Sequence, residues 1–455
     1  MIILGSGGHT TEMFKVLNFL DLDKYYPRVY VHGHSDLMSE LKLKSFEIDN
    51  DCKVIKIFRS REVGQSYYTS VITTLIAFIN AGVIMFREKP DLILANERID
   101  CKLIEIEACL DRTWENLNTG YWKDVSIGHR YCYTICSLLK CILLEIDSRE
   151  EKNKIQEIAK QIDKGLLLGA PIVEAPELLT NIASKINNYL EETNSYKESL
   201  KFEIDDKNIP SNLLEGCEWI KKYKSPSMET FYRDIFKCKV PAVLEECISH
   251  WKALTTWKDP NYLIKIGGMR TVPIEIGSSY TQDDWSQQLV TLSEFIKSHV
   301  AKKNDTVGYL AQHQLFEQIP ELKNDFSIPD YCNFVDEDKE DTEVDINAWF
   351  GPKGTVSPLH YDPRDNLLCQ VFGHKQIILY HPEDSKYLYT YDTRLLSNTA
   401  QVNPLNPDYN KFPEFKNAKG FMCYLKPGQA LYIPPKWWHH VVSLSPSFSI
   451  SFWWN

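Results

Sequence analysis

The chain has 455 residues, of which 43% are hydrophobic and 25% charged, so it is long enough for several domains with sizeable buried cores. Its formal net charge of −11 excludes a protein that binds nucleic acid with its whole surface, and we expect no direct nucleic-acid partner. The longest apolar run, residues 70–86, contains Asn80 and Gly82 and is shorter than the roughly 18 residues of a spanning helix. We therefore expect no membrane span.

The chain opens with the pattern of an α/β segment. Residues 1–4 form a short apolar strand, and residues 5–13 form a glycine-rich turn that opens a helix, with Thr10 as a plausible cap. Such a turn can present backbone N–H groups to a phosphate. Residues 5–13, 58–66 and 90–96 together resemble the family of asparagine-linked glycosylation protein fourteen, the anchoring subunit of the dolichol-linked UDP-GlcNAc transferase.

This resemblance stops at about Asn96, where Glu97 to Asp100 stand in place of the family's Gly-Pro-Gly-type turn. Residues 1–96 are therefore expected to be a partial Rossmann-like segment, cut after its third or fourth strand. A half-sheet exposes an unpaired edge and an uncovered apolar face. We favour a gene fusion or an annotation artefact for this segment. The alternative is a bifunctional protein whose missing half comes from a partner.

Residues 97–205 are predicted to be a helical region, because apolar residues recur at spacings of three and four. Ile155, Ile158 and Ile162 mark one helix, which ends at residues 169–171, and residues 174–190 form the next. We interpret the charged face of residues 150–164 as solvated and the acidic residues 200–210 as a linker. The region packs against the part of the chain that follows it or binds a partner protein, and its sequence favours neither.

The twelve cysteines include no CxxC pair. Cys132, Cys136 and Cys141 lie at helical spacings among apolar residues, which is more typical of core thiols than of zinc ligands. This usage of cysteine predicts a reducing compartment, so we expect the protein in the nucleus, the cytoplasm or both.

His360 and Asp362 form a His-x-Asp triplet, and a further histidine follows at His439. In a strand, residues i and i+2 point to the same side, so both side chains of the triplet can reach one metal ion. Two histidines and one carboxylate form the facial triad that holds iron(II) and leaves positions open for a cosubstrate and oxygen. The third ligand must then come from another strand, and His440 competes with His439 for that role.

The neighbouring sequence is typical of strands and turns. Turn residues 349–354 precede an apolar strand that ends at the triplet. Residues 369–380 alternate as strand, turn and strand, which predicts a hairpin that contains Lys375. Residues 426–435 add a Pro-Gly turn and a strand directly before the histidine pair.

Several longer motifs occur together with these elements. They are residues 270–278, 308–316, 319–322, 346–352 and 449–454. In this order they resemble the Jumonji-C (JmjC) family of 2-oxoglutarate oxygenases. The resemblance implies a chain of mixed class, in which residues 206–455 form a double-stranded β-helix (jelly-roll, cupin-like JmjC) catalytic domain. The helical region and the partial Rossmann-like segment precede this domain.

The same resemblance implies a catalytic site and its cofactors, Fe(II), 2-oxoglutarate and O2. His360, Asp362 and His439 would be the catalytic metal ligands, because the family's Trp-His pair falls on Trp438 and His439. Lys375 would hold the far carboxylate of 2-oxoglutarate, a role that suits a charged donor in a desolvated barrel. Further residues align with positions that bind or orient the cosubstrate or wall the site, namely Tyr309, Ser357, Asn366, Trp349 and Trp453.

Three residues match positions that line an arginine pocket within the family, namely Glu275, Trp285 and Gln312. A carboxylate, an aromatic plane and an amide suit a planar guanidinium. We therefore expect an iron- and 2-oxoglutarate-dependent hydroxylase of arginine residues in protein substrates. One alternative is a histone methyl-lysine demethylase, a chromatin regulator that acts on histone tails. Another is a metal-free cupin-like interaction scaffold. The oligomeric state is left open.

Overall fold

The computed structural model describes residues 1–5, 8–17, 27–47, 52–58, 67–90, 94–95, 99–119, 125–146, 154–193, 200–204, 209–277, 279–282, 284–302, 306–336, 343–394 and 396–455. These residues divide into two compact units, Met1–Glu105 and Ile106–Asn455.

The first unit is built on a parallel sheet with the order β3-β2-β1-β4, in which β1 is Ile2–Ile3, β2 is Arg28–Gly33, β3 is Cys52–Ile57 and β4 is Leu94–Ala95. Its helices are α1 (Gly8–Leu17), α2 (Leu37–Phe46) and α3 (Tyr67–Glu88). This arrangement agrees with a partial Rossmann-like segment. Thr10 is not a cap, because it lies inside α1, where its hydroxyl contacts the Gly5 carbonyl and the Ser39 hydroxyl.

The motifs of this unit are only partly described, since residues 6–7, 59–66, 91–93 and 96 lie outside the described residues. Among the helices that the structure describes, none is long and apolar enough to cross a membrane.

The helical region contains α4 (Ile99–Asn118), α5 (Ile127–Ile146), α6 (Lys154–Leu168) and α7 (Leu178–Thr193). The boundary between the two units falls within α4. Cys136 and Cys141 are buried, and the Cys132 sulfur lies 4.0 Å from the Cys136 sulfur. The solvated face expected over residues 150–164 is wrong for Asp163, which is buried against residues of the catalytic domain.

The linker expected over residues 200–210 is also wrong in part. Leu200 is buried, and the Phe202 ring stacks on Phe372 with 5.1 Å between ring centroids. Leu200 further accepts a hydrogen bond from Asn261. The mostly acidic composition of the segment suggested a linker, although Leu200 and Phe202 pack against the core of the catalytic domain. Residues 205–208 of the segment lie outside the described residues.

The catalytic domain contains fourteen of the described strands, which are β5 (Cys217–Trp219), β6 (Lys222–Lys224), β7 (Ala242–Glu245), β8 (Thr271–Ile276), β9 (Ser286–Thr291), β10 (Gly308–His313), β11 (Asp345–Gly351), β12 (Val356–Tyr361), β13 (Asp365–Phe372), β14 (Lys375–Tyr380), β15 (Gly420–Leu425), β16 (Gln429–Ile433), β17 (Trp438–Ser443) and β18 (Ser447–Trp454). One sheet has the order β6-β7-β16-β13-β18-β11-β10-β8-β9, and the other has the order β12-β17-β14-β15-β5.

Short helices cover the outer faces of both sheets. The α-helices are α8 (Met228–Phe231), α9 (Ala253–Thr256), α10 (Pro260–Gly267), α11 (Leu292–Phe295) and α12 (Leu315–Gln318). π-helical turns continue α8 over Tyr232–Phe236 and α11 over Ile296–Val300. Short 3₁₀ helices occupy Pro320–Asp325, Asp330–Asn333, Pro382–Tyr387 and Pro413–Asn417.

Strand alternation gives the larger sheet two buried faces. Leu368 of β13 packs inward with Ile377 of β14 in the opposite sheet. The next residue, Leu367, packs outward with Phe452 and the covering helices. Two facing sheets with this core confirm the predicted double-stranded β-helix, and their enclosed space is where inward-facing polar residues meet.

The hairpin predicted over residues 369–380 is wrong, although both strands and the turn form. β13 pairs with β16 and β18, while β14 pairs with β15 and β17, so the turn leads from one sheet to the other. Gly373 makes this turn with φ of 71°, and a Cβ at this position would meet the Pro446 carbonyl at 2.0 Å. The crossing places Lys375 at the start of a strand in the sheet that also carries His439.

Candidate active site

Two neighbouring strands bring the predicted metal ligands together. β12 carries His360 and ends one residue before Asp362, and β17 carries His439 directly opposite His360 in the strand register. The ligand atoms of these three side chains all lie within 4.8 Å of one another. His439 Nε2 is 3.6 Å from Asp362 Oδ2, and the two imidazole centroids are 4.2 Å apart.

Both imidazoles are oriented for coordination through Nε2. His360 Nδ1 lies 2.7 Å from the Pro358 carbonyl, and His439 Nδ1 lies 3.1 Å from the Trp437 carbonyl. A carbonyl oxygen only accepts, so Nδ1 must donate in each ring, and neutral Nε2 keeps its lone pair for a metal. Burial, followed by the nearby His360, lowers the pKa of His439 to about 4, which keeps it neutral at physiological pH. This donor set fits Fe(II).

His440 points away from this group. It follows His439 in β17, is 4% exposed and pairs with Ile378 in the strand register. Among the described residues, the one group that could hold a metal contains His439 and excludes His440. Alternation along β17 thus separates the two adjacent histidines.

A cavity extends from the three metal-ligand candidates to Lys375, whose side chain is 1% exposed. Lys375 Nζ donates to the Tyr309 hydroxyl over 3.4 Å, and burial, with no acidic group of the described residues beside it, is what shifts its pKa. Burial lowers the pKa of Lys375 to about 7. A buried ammonium without an acidic partner is costly, so this end of the cavity is suited to an anionic ligand.

The other cosubstrate candidates also line or flank this cavity. Tyr309, Trp349, Ser357 and Asn366 contribute to its wall. Trp349 is fixed by a 2.8 Å hydrogen bond from its indole to Ser451, and its ring lies 6.2 Å from that of Tyr309. Asn366 Oδ1 is buried without a hydrogen-bond partner among the described residues, and so is Trp453 Nε1 of the adjacent strand. Such orphaned polar atoms are expected where a ligand or ordered water binds.

Glu275 and Trp285 form the candidate substrate side. Glu275 lies opposite Tyr309 in the pairing of β8 with β10, which places it one strand from the cavity wall. Burial raises the pKa of the Glu275 carboxyl, and the indole of Trp285 acts in the opposite direction. Trp285 Nε1 is itself buried and lacks a hydrogen-bond partner at bonding distance within the described chain.

Gln312 is the third substrate candidate, and it lies on β10 beyond the residues that pair with β8. It is exposed on β10, three residues beyond Tyr309, and its φ of 45° lies in the left-handed region. The pairing of β10 with β8 covers Gly308 and Tyr309, and the register of β10 against β11 is irregular between Leu310 and His313. A bulge therefore sets the direction of Gln312.

Tyr280 is a site residue that the sequence analysis missed. Burial raises its pKa to about 12, its hydroxyl lies 3.5 Å from that of Thr399, and it interacts electrostatically with Asp362 and Glu275. It therefore lies near both Asp362 of the metal-ligand group and Glu275 of the substrate side. Thr399 also forms a bridge with His360, so a remote segment closes this side of the site. A tyrosine in an irregular loop gives no periodic signal that could have revealed this.

Comparison with known proteins finds two family matches, one for each end of the chain. Residues 228–455 match the model of the cupin-like domain, and residues 1–119 match that of the Alg14-like oligosaccharide biosynthesis proteins. The latter match extends past Asn96 and takes in α4.

Three relatives cover most of this chain. Jumonji C domain-containing protein 5 of Drosophila melanogaster is 41% identical over 77% of this chain and 86% of its own length. Lysine-specific demethylase 8 of Danio rerio is 40% identical over 86% of this chain and its own full length, 100%. Lysine-specific demethylase JMJ30 of Arabidopsis thaliana is 37% identical over 77% and 85%. Each alignment is longer than the cupin-like residues 228–455, so each also includes sequence upstream of residue 228.

Proposed function

The chain belongs to the cupin-like JmjC-domain family of Fe(II)- and 2-oxoglutarate-dependent oxygenases. We propose that it hydroxylates arginine side chains in protein substrates. Its cofactors are then Fe(II), 2-oxoglutarate and O2, on which the family generally depends. The single observation that carries the cosubstrate assignment is buried Lys375, at the end of the cavity that the metal-ligand candidates line.

The residues of the cavity divide the work. His360, Asp362 and His439 would hold the iron, which when bound would supply the oxidising chemistry that couples decarboxylation of 2-oxoglutarate to oxidation of a C–H bond. Lys375 and the Tyr309 hydroxyl, which are 3.4 Å apart, would bind the far carboxylate of 2-oxoglutarate through charge-assisted hydrogen bonds. The rings of Trp349 and Tyr309 line this cavity and would limit the access of water to it.

The preference for arginine rests on the chemistry of the substrate side. A guanidinium presents N–H donors in a planar fork, for which a buried carboxylate such as Glu275 is a matched acceptor. A flat ring such as Trp285 can stack on the same group. A trimethylammonium has no N–H group, so it would donate no hydrogen bond to the Glu275 carboxylate.

Lysine demethylation is the second candidate function. It is favoured by the names of the Danio rerio and Arabidopsis thaliana relatives, which are lysine-specific demethylases. It uses the same oxidising chemistry and differs in which C–H bond faces the metal. In either case the partner is a protein or a histone tail. A metal-free scaffold is disfavoured by the preserved ligand group and by Lys375.

We further propose that the protein acts in the nucleus, the cytoplasm or both. No disulfide joins the described cysteines, which suits a reducing compartment. Fractionation of cells with an antibody against the native protein tests this placement, and recovery in a secretory fraction would contradict it.

The test of function compares an arginine peptide with a methyl-lysine peptide, each incubated with the protein, Fe(II), 2-oxoglutarate and O2. Mass spectrometry should show an arginine product heavier by one oxygen atom. A lysine product lighter by one methylene group, with formaldehyde released, would favour the demethylase instead.

Glu275→Gln provides the matched variant, since it keeps the size and removes the charge of the side chain that would read the guanidinium. Turnover of the arginine peptide should fall, while the slow decarboxylation of 2-oxoglutarate without peptide should continue. Equal loss of both reactions would show that Glu275 is structural.

A further inference from the structure

A buried carboxylate joins the helical region to the strands of the substrate side. Asp163 of α6 is 1% exposed, and its Oδ1 accepts from Arg270 Nε at 3.0 Å and Nη2 at 2.8 Å. Its Oδ2 accepts from the backbone N–H of Thr271 at 2.6 Å. Thr271 is the first residue of β8, the strand that carries Glu275. A side chain of the helical region therefore fixes the start of this strand.

The same carboxylate reaches the next strand through Gln318 of α12. Gln318 Nε2 donates to Asp163 Oδ1 at 3.0 Å and to the Thr271 carbonyl at 2.7 Å. These two acceptors fix the orientation of the amide, so Gln318 Oε1 faces His313 Nε2 at 2.7 Å and must accept from it. The chain of bonds therefore runs from Asp163 through Gln318 to His313, the last residue of β10.

This chain of bonds ends beside the strained residue Gln312. Its φ of 45° is uncommon for a residue other than glycine, and it lies in the bulge between Leu310 and His313. Strained backbone and bulges persist when surrounding contacts hold them, and they commonly aim a side chain at a functional site. His313, anchored by Gln318, is such a contact directly next to Gln312.

We propose that Asp163 is a positioning residue for substrate recognition, which acts through Arg270 and Thr271 on β8 and through Gln318 and His313 on the bulge that presents Gln312. The helical region is then part of the substrate-binding apparatus and not an appendage. This inference rests on the proposed function only for the identity of the peptide. The geometry of the two strands does not depend on it.

Gln318→Met tests the proposal because it cuts the chain of bonds without breaking the Asp163–Arg270 pair. It removes three hydrogen bonds at a site that is 4% exposed. Gln370→Met is the matched control, since Gln370 is 0% exposed and also makes three bonds, to Phe372, Gly373 and Ser449. The same substitution is thus made at two buried glutamines, of which only Gln318 touches the substrate strands.

The first readout is amide hydrogen exchange in the intact protein. Exchange over residues 308–313 should accelerate in Gln318→Met and stay as in the wild type in Gln370→Met, because release of His313 loosens the bulge. Unchanged exchange over these residues in Gln318→Met overturns the proposal, whichever peptide is the substrate.

The second readout separates recognition from chemistry. In Gln318→Met the KM for the arginine peptide should rise about tenfold, the loss expected from one or two hydrogen bonds, while succinate formation without peptide stays within about twofold. An equal KM increase in Gln370→Met, or a parallel loss of peptide-free succinate, overturns the proposal. A wild type that leaves arginine peptides unmodified, together with faster exchange in Gln318→Met, refutes the proposed substrate and supports the positioning role.

Discussion

Among single residues, Lys375 shows that burial of an amine for ligand binding disfavours its charged form in the unliganded protein. Its pKa is lowered to about 7 by burial, against an ordinary value of 10.5. Between these two pH values the unfolded chain binds a proton that the folded chain does not, so the stability of the unliganded protein rises with pH. The carboxylate of a bound cosubstrate reverses this, because it favours the charged amine.

Binding of 2-oxoglutarate should therefore take up a proton above about pH 7, and its Kd should rise by up to about tenfold per pH unit there.

Lys375→Met should weaken binding by about 3–5 kcal/mol and abolish this pH dependence, since it removes the charged partner of a buried carboxylate. The unliganded variant should be no less stable than the wild type, because the side chain of similar volume removes a buried cation. Titration calorimetry in buffers of different ionisation enthalpy measures the affinity, its pH dependence and the proton uptake, and thermal unfolding measures the stability of the unliganded variant. A Lys375→Met variant that retains the affinity and pH dependence of the wild type would assign the carboxylate to another cation.

The adjacent histidines give a matched pair for the metal site. Both are buried to the same 4% exposure, and burial lowers the pKa of each to about 4, but only His439 belongs to the ligand group. His439→Ala should abolish Fe(II) binding and succinate formation, because two ligands do not hold a labile ion in this arrangement. His440→Ala should retain metal binding and lose stability. Equilibrium dialysis and thermal unfolding measure the two effects, and the reverse pattern would move the third ligand to His440.

At the scale of secondary-structure elements, the sequence predicted what depends on local periodicity and missed what depends on pairing. The spacing of His360 and Asp362 predicted that they share a side, because alternation is a local property of the chain. The choice of His439 over His440 came from the family resemblance, since the family's Trp-His pair falls on Trp438 and His439. The turn at Gly373 carries no local sign that its two strands enter different sheets. Asp163 was assigned to a solvated face because its partners Arg270 and Gln318 are more than 100 positions away in sequence.

Helix α6 is joined to β8 by the ion pair of Asp163 with Arg270, whose side chains are 1% and 3% exposed. Asp163→Ala should lower the free energy of unfolding by about 3–5 kcal/mol, since it leaves a buried guanidinium without a counter-charge. Denaturation by urea measures this loss. Asp234→Ala is the control, because the Arg233–Asp234 pair is equally close at 2.7 Å but exposed to water, and its loss should leave stability nearly unchanged. Similar effects of the two substitutions would contradict the buried role of Asp163.

At the scale of the whole molecule, the helical region and the catalytic domain belong together. Asp163 and Asn187 bond to residues around β8 and α10, and Phe202 packs among core rings of the catalytic domain. The relatives that align over most of this chain also cover sequence upstream of the cupin-like residues. The segment Met1–Glu105 forms its own compact unit around a parallel sheet, and each bond in the Asp163 network lies within the other unit.

Deletion of residues 1–96 should therefore leave the oxygenase soluble, with unchanged thermal stability of the remaining unit and unchanged succinate formation. The deletion removes the four-stranded parallel sheet but leaves α4 to α7 whole. Deletion of residues 1–205 is the contrasting variant, since it removes Asp163, Asn187 and Phe202 and leaves Arg270 without its counter-charge. That variant should aggregate or unfold at a markedly lower temperature, because a buried cation and an uncovered aromatic surface both disfavour the folded state. Thermal unfolding and 2-oxoglutarate turnover of the two truncated proteins measure the difference. Loss of the folded oxygenase on removal of residues 1–96 alone would show that the N-terminal segment is structurally required. An active, stable protein that begins at residue 206 would show that the helical region is not required for folding.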